Sequence, residues 1–257
     1  MFTSTQLVAF AKSMVGQPYW YGSCVYKCSE SLYSSKKKQY PAHYTSAREA
    51  QYRVNIRQKR VCADCVGLIK GFFWTNGGQG VQAYLRSEGD FKNTYASNGM
   101  PDLSADGLRS WLTRLGCAHG GIDSLPETPG AMLFASGHVG IYIGGGRAVE
   151  ARGFSYGIVE TEVQKRSWKY WALLPQSILT YEEAHLSMGT IRVENCSSCR
   201  LRAQPNTECA TLGYARAGDT FPWLGETSAQ GWQKVRYASG EAWISGKYAR
   251  IAEEEQP

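Results

Sequence analysis

No apolar run in this sequence approaches the roughly 18 residues that a helix needs to cross a bilayer. The longest runs, such as Tyr-Trp-Ala-Leu-Leu at 170–174, are sized for a core, so no membrane span is expected. The first sixteen residues lack a basic segment ahead of an apolar stretch, and Lys12 interrupts the apolar pattern. They predict an amphipathic helix with Leu7, Phe10, Ala11 and Met14 on one face rather than a secretory signal, and hence a chain made in the cytoplasm. Regular cysteine spacing is also missing. The eight cysteines form no disulfide framework, and reduced thiols are expected. Cys62/Cys65 and Cys196/Cys199 have the spacing of metal ligands, but about 130 residues separate the pairs, which excludes a compact zinc knuckle. Acidic residues are nearly missing from residues 34–60. There Lys36, Lys37, Lys38, Arg48, Arg53, Arg57, Lys59 and Arg60 face only Glu49, the pattern of a solvated basic surface rather than of nucleic-acid readout. Low-complexity tracts and internal repeats are absent.

What remains is the composition of a folded chain. With 257 residues, 43% hydrophobic, the sequence has enough apolar surface for one large or two ordinary domains. Its net charge of +6 favours an acidic polymer as a partner without naming one. The pattern changes near Gly189. Before it, helix and strand signals mix. After it come short alternating segments broken by Gly, Pro, Asn and Ser, five or so strands with close turns, which predict a small β-barrel. Residues 1–175 are read as one domain, 176–188 as a linker and 189–257 as the barrel.

Two stretches carry chemistry. In Cys-Ala-Asp-Cys-Val-Gly-Leu-Ile-Lys-Gly-Phe-Phe-Trp, residues 62–74, Cys65 opens a helix that is apolar enough to be buried. The free N–H groups and dipole of a helix start favour an anion, so a lowered thiol pKa is expected there. Further on, Gly-His-Val-Gly-Ile-Tyr-Ile at 137–143 and Ala-Val-Glu-Ala at 148–151 read as a hairpin around glycines. A turn of three or five residues would set Gly140 opposite Glu150 and put His138 and Glu150 on one face as diagonal neighbours. A thiol, an imidazole to take its proton and a carboxylate to orient that imidazole make up the equipment of nucleophilic acyl transfer. The other three histidines read as loop or linker residues.

The ordered motifs Pro-Tyr-Trp-Tyr-Gly at 18–22, Asp-Cys-Val-Gly-Leu-Ile at 64–69, Gly-His-Val-Gly at 137–140 and Val-Glu-Ala-Arg-Gly at 149–153 resemble those of the NlpC-type cell-wall cysteine peptidases. The resemblance implies an α+β papain-like (NlpC-type) catalytic domain followed by an all-β SH3-like small barrel. It implies Cys65 as nucleophile, His138 as base and Glu150 as the third polar residue. It also implies Tyr19 beside the nucleophile, helping the oxyanion or the substrate, and Asp64 as a contact to the stem peptide's amine, although Asp64 equally reads as a helix cap. The implied substrate is the peptidoglycan stem peptide, cut between γ-D-glutamate and the diamino acid without metal or cofactor. Residues 201–221, 231–237 and 242–249 resemble the bacterial SH3-like domain, which implies a wall-binding tail. With no signal sequence, the combination resembles a phage-type lysin acting at the cell wall.

Three departures from the peptidase pattern stand out. Val66 replaces a serine common in the family, Glu150 stands where histidine is frequent, and residues 23–60 and 75–128 are enlarged between motifs. As an anion, Glu150 is expected to favour the imidazolium and thus the thiolate. Two alternatives remain open: an N-acetylmuramoyl-L-alanine amidase or acyltransferase built on the same thiol, and a non-enzymatic wall-binding protein.

Overall fold

The computed structural model describes residues 1–181, 189–237 and 240–252. The chain divides into two units, Met1–Ala184 and His185–Pro257.

The first unit mixes helix and strand. It runs β1 (Phe2–Thr3), α1 (Ser4–Ser13), β2 (Cys24–Lys27), α2 (Glu30–Gln39), α3 (Ser46–Arg57), β3 (Val61–Ala63), α4 (Cys65–Trp74), α5 (Val81–Leu85), α6 (Ala105–Arg114), β4 (His119–Gly121), β5 (Met132–Ala135), β6 (His138–Gly144), β7 (Arg147–Gly153), β8 (Gly157–Glu162), β9 (Tyr170–Ala172) and β10 (Leu179–Thr180). Helix α1 starts on a capping box. Thr3 Oγ1 accepts from the Gln6 N–H and Gln6 Oε1 accepts from the Thr3 N–H, which satisfies two backbone donors at once. Its apolar face is the expected one, with Leu7, Phe10, Ala11 and Met14 all buried.

Helix α4 is buried almost along its whole length and packs against β2, β3, β6 and β7. Two glycines make that approach possible. A Cβ at Gly67 would collide with the Ser23 carbonyl oxygen, and one at Gly71 with the Val25 side chain. Six antiparallel strands form the sheet in the order β4-β9-β5-β6-β7-β8.

The hairpin that decides the site lies between β6 and β7. Its turn is shorter than expected: Gly144 pairs with Arg147, leaving Gly145 and Gly146 as a two-residue loop, both at positive φ (59° and 70°). A register shift between Tyr142 and Gly144 adds one residue to β6, so Ile141 pairs with Val149 and Gly140 falls opposite Glu150. Without that irregularity Glu150 would face Ile141, on the opposite side of the sheet from His138. The bulge therefore sets the face on which the carboxylate lies.

The basic segment 23–60 has a small core of its own. Trp20, Tyr33, Tyr44 and Tyr52 are buried together, with Tyr44 stacked on Tyr52 at 4.7 Å and Trp20 edge-on to Tyr52 at 4.9 Å. At the other end of the unit β10 pairs in parallel with β1, and Ile178 and Leu179 join the core. The expected linker 176–188 is thus packed at its start, because these two apolar residues have a strand to join; residues 182–188 lie outside the described residues.

The second unit contains β11 (Gly189–Val193), β12 (Ser198–Arg202), β13 (Thr211–Arg216), β14 (Thr220–Thr227), β15 (Trp232–Tyr237), β16 (Gly240–Ser245) and β17 (Ala249–Ala252), paired in the order β13-β12-β16-β15-β14-β11-β17. Seven described strands replace the five or so expected, because the apolar alternation at 211–227 and at 240–252 is divided by the turns at Gly218 and at Gly246. Ile191, Val193, Leu201, Val235 and Ile244 fill its core, and Trp223 packs against them. Among the described residues no helix is long and apolar enough to cross a membrane.

Candidate active site

Cys65 is the first residue of α4, and Asp64 is its N-cap. The Asp64 carboxylate accepts from the Gly67 N–H at 2.6 Å through Oδ1 and from the Gly22 N–H at 2.8 Å through Oδ2. One side chain therefore fixes both the helix start and the Pro-Tyr-Trp-Tyr-Gly loop beside it. Burial raises the Asp64 pKa, against the opposing pull of the Gly67 N–H and the Lys70 ammonium.

The sulfur of Cys65 lies 4.0 Å from the Gly137 carbonyl oxygen. The Val139 N–H is also close enough to stabilise a thiolate there. These two residues flank His138, so α4 delivers the thiol to the start of the strand that carries the imidazole.

His138 Nε2 is 2.7 Å from Glu150 Oε2. Because an ionised carboxylate only accepts, Nε2 carries the hydrogen of that bond and Nδ1 is left as the basic nitrogen. Glu150 is fully buried and fully engaged. Arg166 grips it with Nε on Oε1 at 2.6 Å and Nη2 on Oε2 at 2.8 Å, and Thr161 Oγ1 donates to Oε1 at 2.8 Å. Burial pushes the Glu150 pKa up, but the hydrogen bonds from His138, Arg166 and Thr161 outweigh it and bring the carboxyl down to about 2. The imidazole ring is held on its face by Trp168, stacked at 5.4 Å and 13°. Gly140 leaves room for that ring, since a Cβ there would strike Trp168.

The expectation of a lowered thiol pKa is overturned. Burial raises Cys65 to about 12, and the adjacent Asp64 carboxylate adds to the rise. The N–H groups of Val139, Val66 and Cys65 pull the other way and do not compensate. The helix start does act as expected on sign, but desolvation wins on size. Glu150 also shares its charge with the Arg166 guanidinium, so it is not the bare anion that would draw the pair toward imidazolium and thiolate.

Tyr19 lies against β3 through a bridge to Ala63 and lines the same cleft as Asp64 and Cys65. Burial keeps its phenol protonated well above the usual range, with the Cys65 and Asp64 charges adding to the effect, so it can serve there as a hydrogen-bond donor. The cleft has a volume of about 450 Å³, and its wall includes Lys36, Gln39 and Tyr40 from the basic segment. The structure thus gathers Cys65, Tyr19, Asp64 and the turn leading into His138 at one opening, with Glu150 buried behind His138.

Of the other histidines, His43 stacks on Tyr21 at 3.6 Å and His119 begins the edge strand β4, while His185 lies outside the described residues. All eight cysteines are free thiols. Among the described residues no three or more His, Cys, Asp or Glu side chains gather as a metal site. Arg166, Thr161 and Trp168 escaped the sequence reading. Thr161 had a weak signal, since it lies two residues beyond the Val159 that pairs with Glu150 and so shares its face. Arg166 and Trp168 come from an irregular segment after β8, where no periodicity marks them.

Residues 197–249 match the Bacterial SH3 domain family, so the tail contains a bacterial SH3 domain. The chain is similar to the NlpC/p60 domain of the peptidoglycan hydrolase SagA at 13% identity over 67% of this chain and 99% of that one, with a TM-score of 0.34. It is similar to the peptidoglycan hydrolase RipB from Mycobacterium tuberculosis at 18% identity over 66% and 65%, with a TM-score of 0.35. It is similar to Ly7917 at 14% identity over 97% of both chains, with a TM-score of 0.31. No curated protein matches the sequence. At these identities and scores, the reading of the first unit rests on its own motifs and geometry.

Proposed function

We propose that this protein is a peptidoglycan hydrolase, a papain-like cysteine peptidase of the NlpC type whose bacterial SH3 domain holds it to the cell wall in the manner of a phage-type lysin. The observation that carries this reading is the convergence of a helix-start thiol on the strand whose histidine is bonded to a buried carboxylate.

In this mechanism the thiol is neutral at rest. His138 Nδ1 takes the proton as Cys65 Sγ adds to the amide carbonyl, so charge separates only as the new bond forms. The backbone N–H of Cys65, without a helical acceptor at the first turn, faces the developing oxyanion, and the Tyr19 phenol assists. His138 then protonates the leaving amine and the acyl group remains on sulfur as a thioester; a water that gives its proton to the same imidazole attacks that thioester, the C–S bond breaks, and the proton returns to the Cys65 sulfur. Glu150 holds the tautomer and carries the imidazolium through each step, and Arg166 keeps Glu150 ionised. Asp64 keeps its cap and offers its remaining lone pairs to the amine end of the stem peptide.

The scissile bond of this reading joins the γ-carboxyl of D-glutamate to the diamino acid. Mass spectrometry of purified peptidoglycan after digestion by the full chain tests it. The expected fragments carry a new γ-carboxyl on D-glutamate and a new amine on the diamino acid. Free lactyl carboxyls on muramic acid would make the protein an amidase instead, and an intact wall would leave only a binder.

A further inference from the structure

The cleft beside Cys65 is lined by two lysines and two aspartates, and three of these four charges already have partners. Lys70, whose side chain is 8% exposed, pairs with Asp102 at 2.5 Å, and Asp102 also accepts from the Tyr95 hydroxyl at 3.0 Å. Asp64 accepts the N–H groups of Gly67 and Gly22. Lys36 remains. Its ammonium donates to Gln39 Oε1 at 3.3 Å and sits 5.6 Å from the Tyr40 ring, with no carboxylate partner among the described residues.

Lys36 also differs from its neighbours in the Lys36-Lys37-Lys38 run. Lys37 is exposed and pairs with Glu49, and Lys38 is exposed, whereas Lys36 is half-buried and lines the cleft. Its place is built. Tyr40 packs edge-on against Tyr21 at 5.0 Å and fills the space left by the missing side chain of Gly22, the same Gly22 whose N–H holds Asp64. Its charge is felt across the cleft, where it favours the ionised forms of Asp64 and Asp102. Beside the nucleophile Val66 presents no side-chain donor, and of the two lysines that line the cleft Lys36 is the one without a carboxylate partner among the described residues.

We propose that Lys36 binds a free carboxylate of the substrate next to the scissile bond. This inference rests on the proposed peptidase reading. A glutamate linked through its γ-carboxyl keeps its α-carboxyl unesterified and unpeptidated, so the acyl half of the proposed substrate brings that anion into the cleft. A stem peptide whose α-carboxyl is converted to the carboxamide presents no charge, and Lys36 is then left without a charged partner in the occupied cleft. The enzyme therefore discriminates the free-acid peptide from the amidated one.

Two synthetic stem peptides that differ only in this group test the inference. With the full-length protein, kcat/KM is expected to favour the carboxylate peptide by about tenfold, the effect of one charge-assisted hydrogen bond at a partly open site. In Lys36→Met the ratio collapses to about one through a rise in KM for the carboxylate peptide, and Lys36→Arg restores most of it. Calorimetric binding of both peptides to Cys65→Ala, with and without Lys36→Met, separates the inference from the reading beneath it. If the protein cuts neither peptide yet Cys65→Ala binds the carboxylate form about tenfold tighter in a Lys36-dependent way, the subsite stands and the scissile-bond assignment fails. A preference that survives Lys36→Met, or equal affinities for the two peptides, overturns the role of Lys36.

Discussion

The full chain carrying Cys65→Ala is expected to digest purified peptidoglycan more than about 10⁴-fold more slowly than the wild type while still binding the wall. Removing the nucleophile of an acyl-transfer site leaves only the contribution of oxyanion donors and substrate positioning, and in a well-studied serine hydrolase that removal costs on the order of 10⁶ in kcat. Here the N–H groups at the start of α4 and the Tyr19 phenol remain in the variant, so a small residue of activity is consistent with the account. The fold should tolerate the change. Cys65 is half-buried at a helix start capped by Asp64 rather than by its own side chain, and the bond that its thiol donates, to the Gly137 carbonyl, is long. Matching thermal unfolding of the two proteins checks that point, and unchanged digestion by Cys65→Ala would remove the thiol from the reaction.

Glu150→Gln has the second large effect, and it acts on two observables. The carboxylate fixes the tautomer of His138 and balances the imidazolium that forms as the thiol reacts. A neutral amide does neither reliably, because its NH₂ can turn toward Nε2 and reverse the donor. Loss of the corresponding carboxylate in a serine triad costs about 10⁴ in kcat, so a fall of about 10² to 10⁴ in kcat is expected, with KM little changed. Stability falls as well, since the partly exposed Arg166 loses its bidentate bond to a fully buried carboxylate; breaking such a pair from one side costs about 3 kcal/mol. The pH dependence has a definite sign. The Glu150 carboxyl is brought from 4.5 to about 2 on folding, so its stabilisation is complete above about 4.5 and disappears as the pH falls from 4.5 toward 2. Urea unfolding of wild type and Glu150→Gln should therefore differ most at neutral pH and converge in acid. A gap that stays constant down to pH 2 would mean that Glu150 is not held ionised by its partners.

Much of this site is legible in the sequence, and the reasons are local. The buried stripe of α1, the capping role of Asp64 and the pairing of β6 with β7 as a hairpin each depend on residues close in sequence, where periodicity and capping chemistry act. Even the hairpin parity emerged correctly, although through a different device: a two-residue glycine turn plus an extra residue in β6 rather than one longer loop. Arg166 and Trp168 were out of reach because they approach Glu150 and His138 from an irregular segment whose course only tertiary packing sets. The thiol departs from the sequence expectation for a related reason. Position at a helix start is visible in sequence, while the desolvation that raises Cys65 to about 12 depends on how the rest of the unit packs around α4. The small aromatic core of the basic segment was likewise hidden, since Trp20, Tyr33, Tyr44 and Tyr52 share no helical or strand period. That core turns what reads as a solvated run of charge into a wall of the cleft, with Lys36 on it.

Active-site labelling most directly tests the claim that imidazole and thiol work as one unit. The full chain is treated with a γ-D-glutamyl peptide bearing a thiol-reactive vinyl sulfone, beside His138→Ala, and the modified cysteine is mapped by peptide mass spectrometry. The account predicts one label per chain, on Cys65, formed at least about a hundredfold more slowly in His138→Ala, because the neutral thiol needs the imidazole to take its proton. Labelling of Cys117, Cys196 or Cys209 in preference to Cys65, or an equal rate on Cys65 without His138, would contradict it.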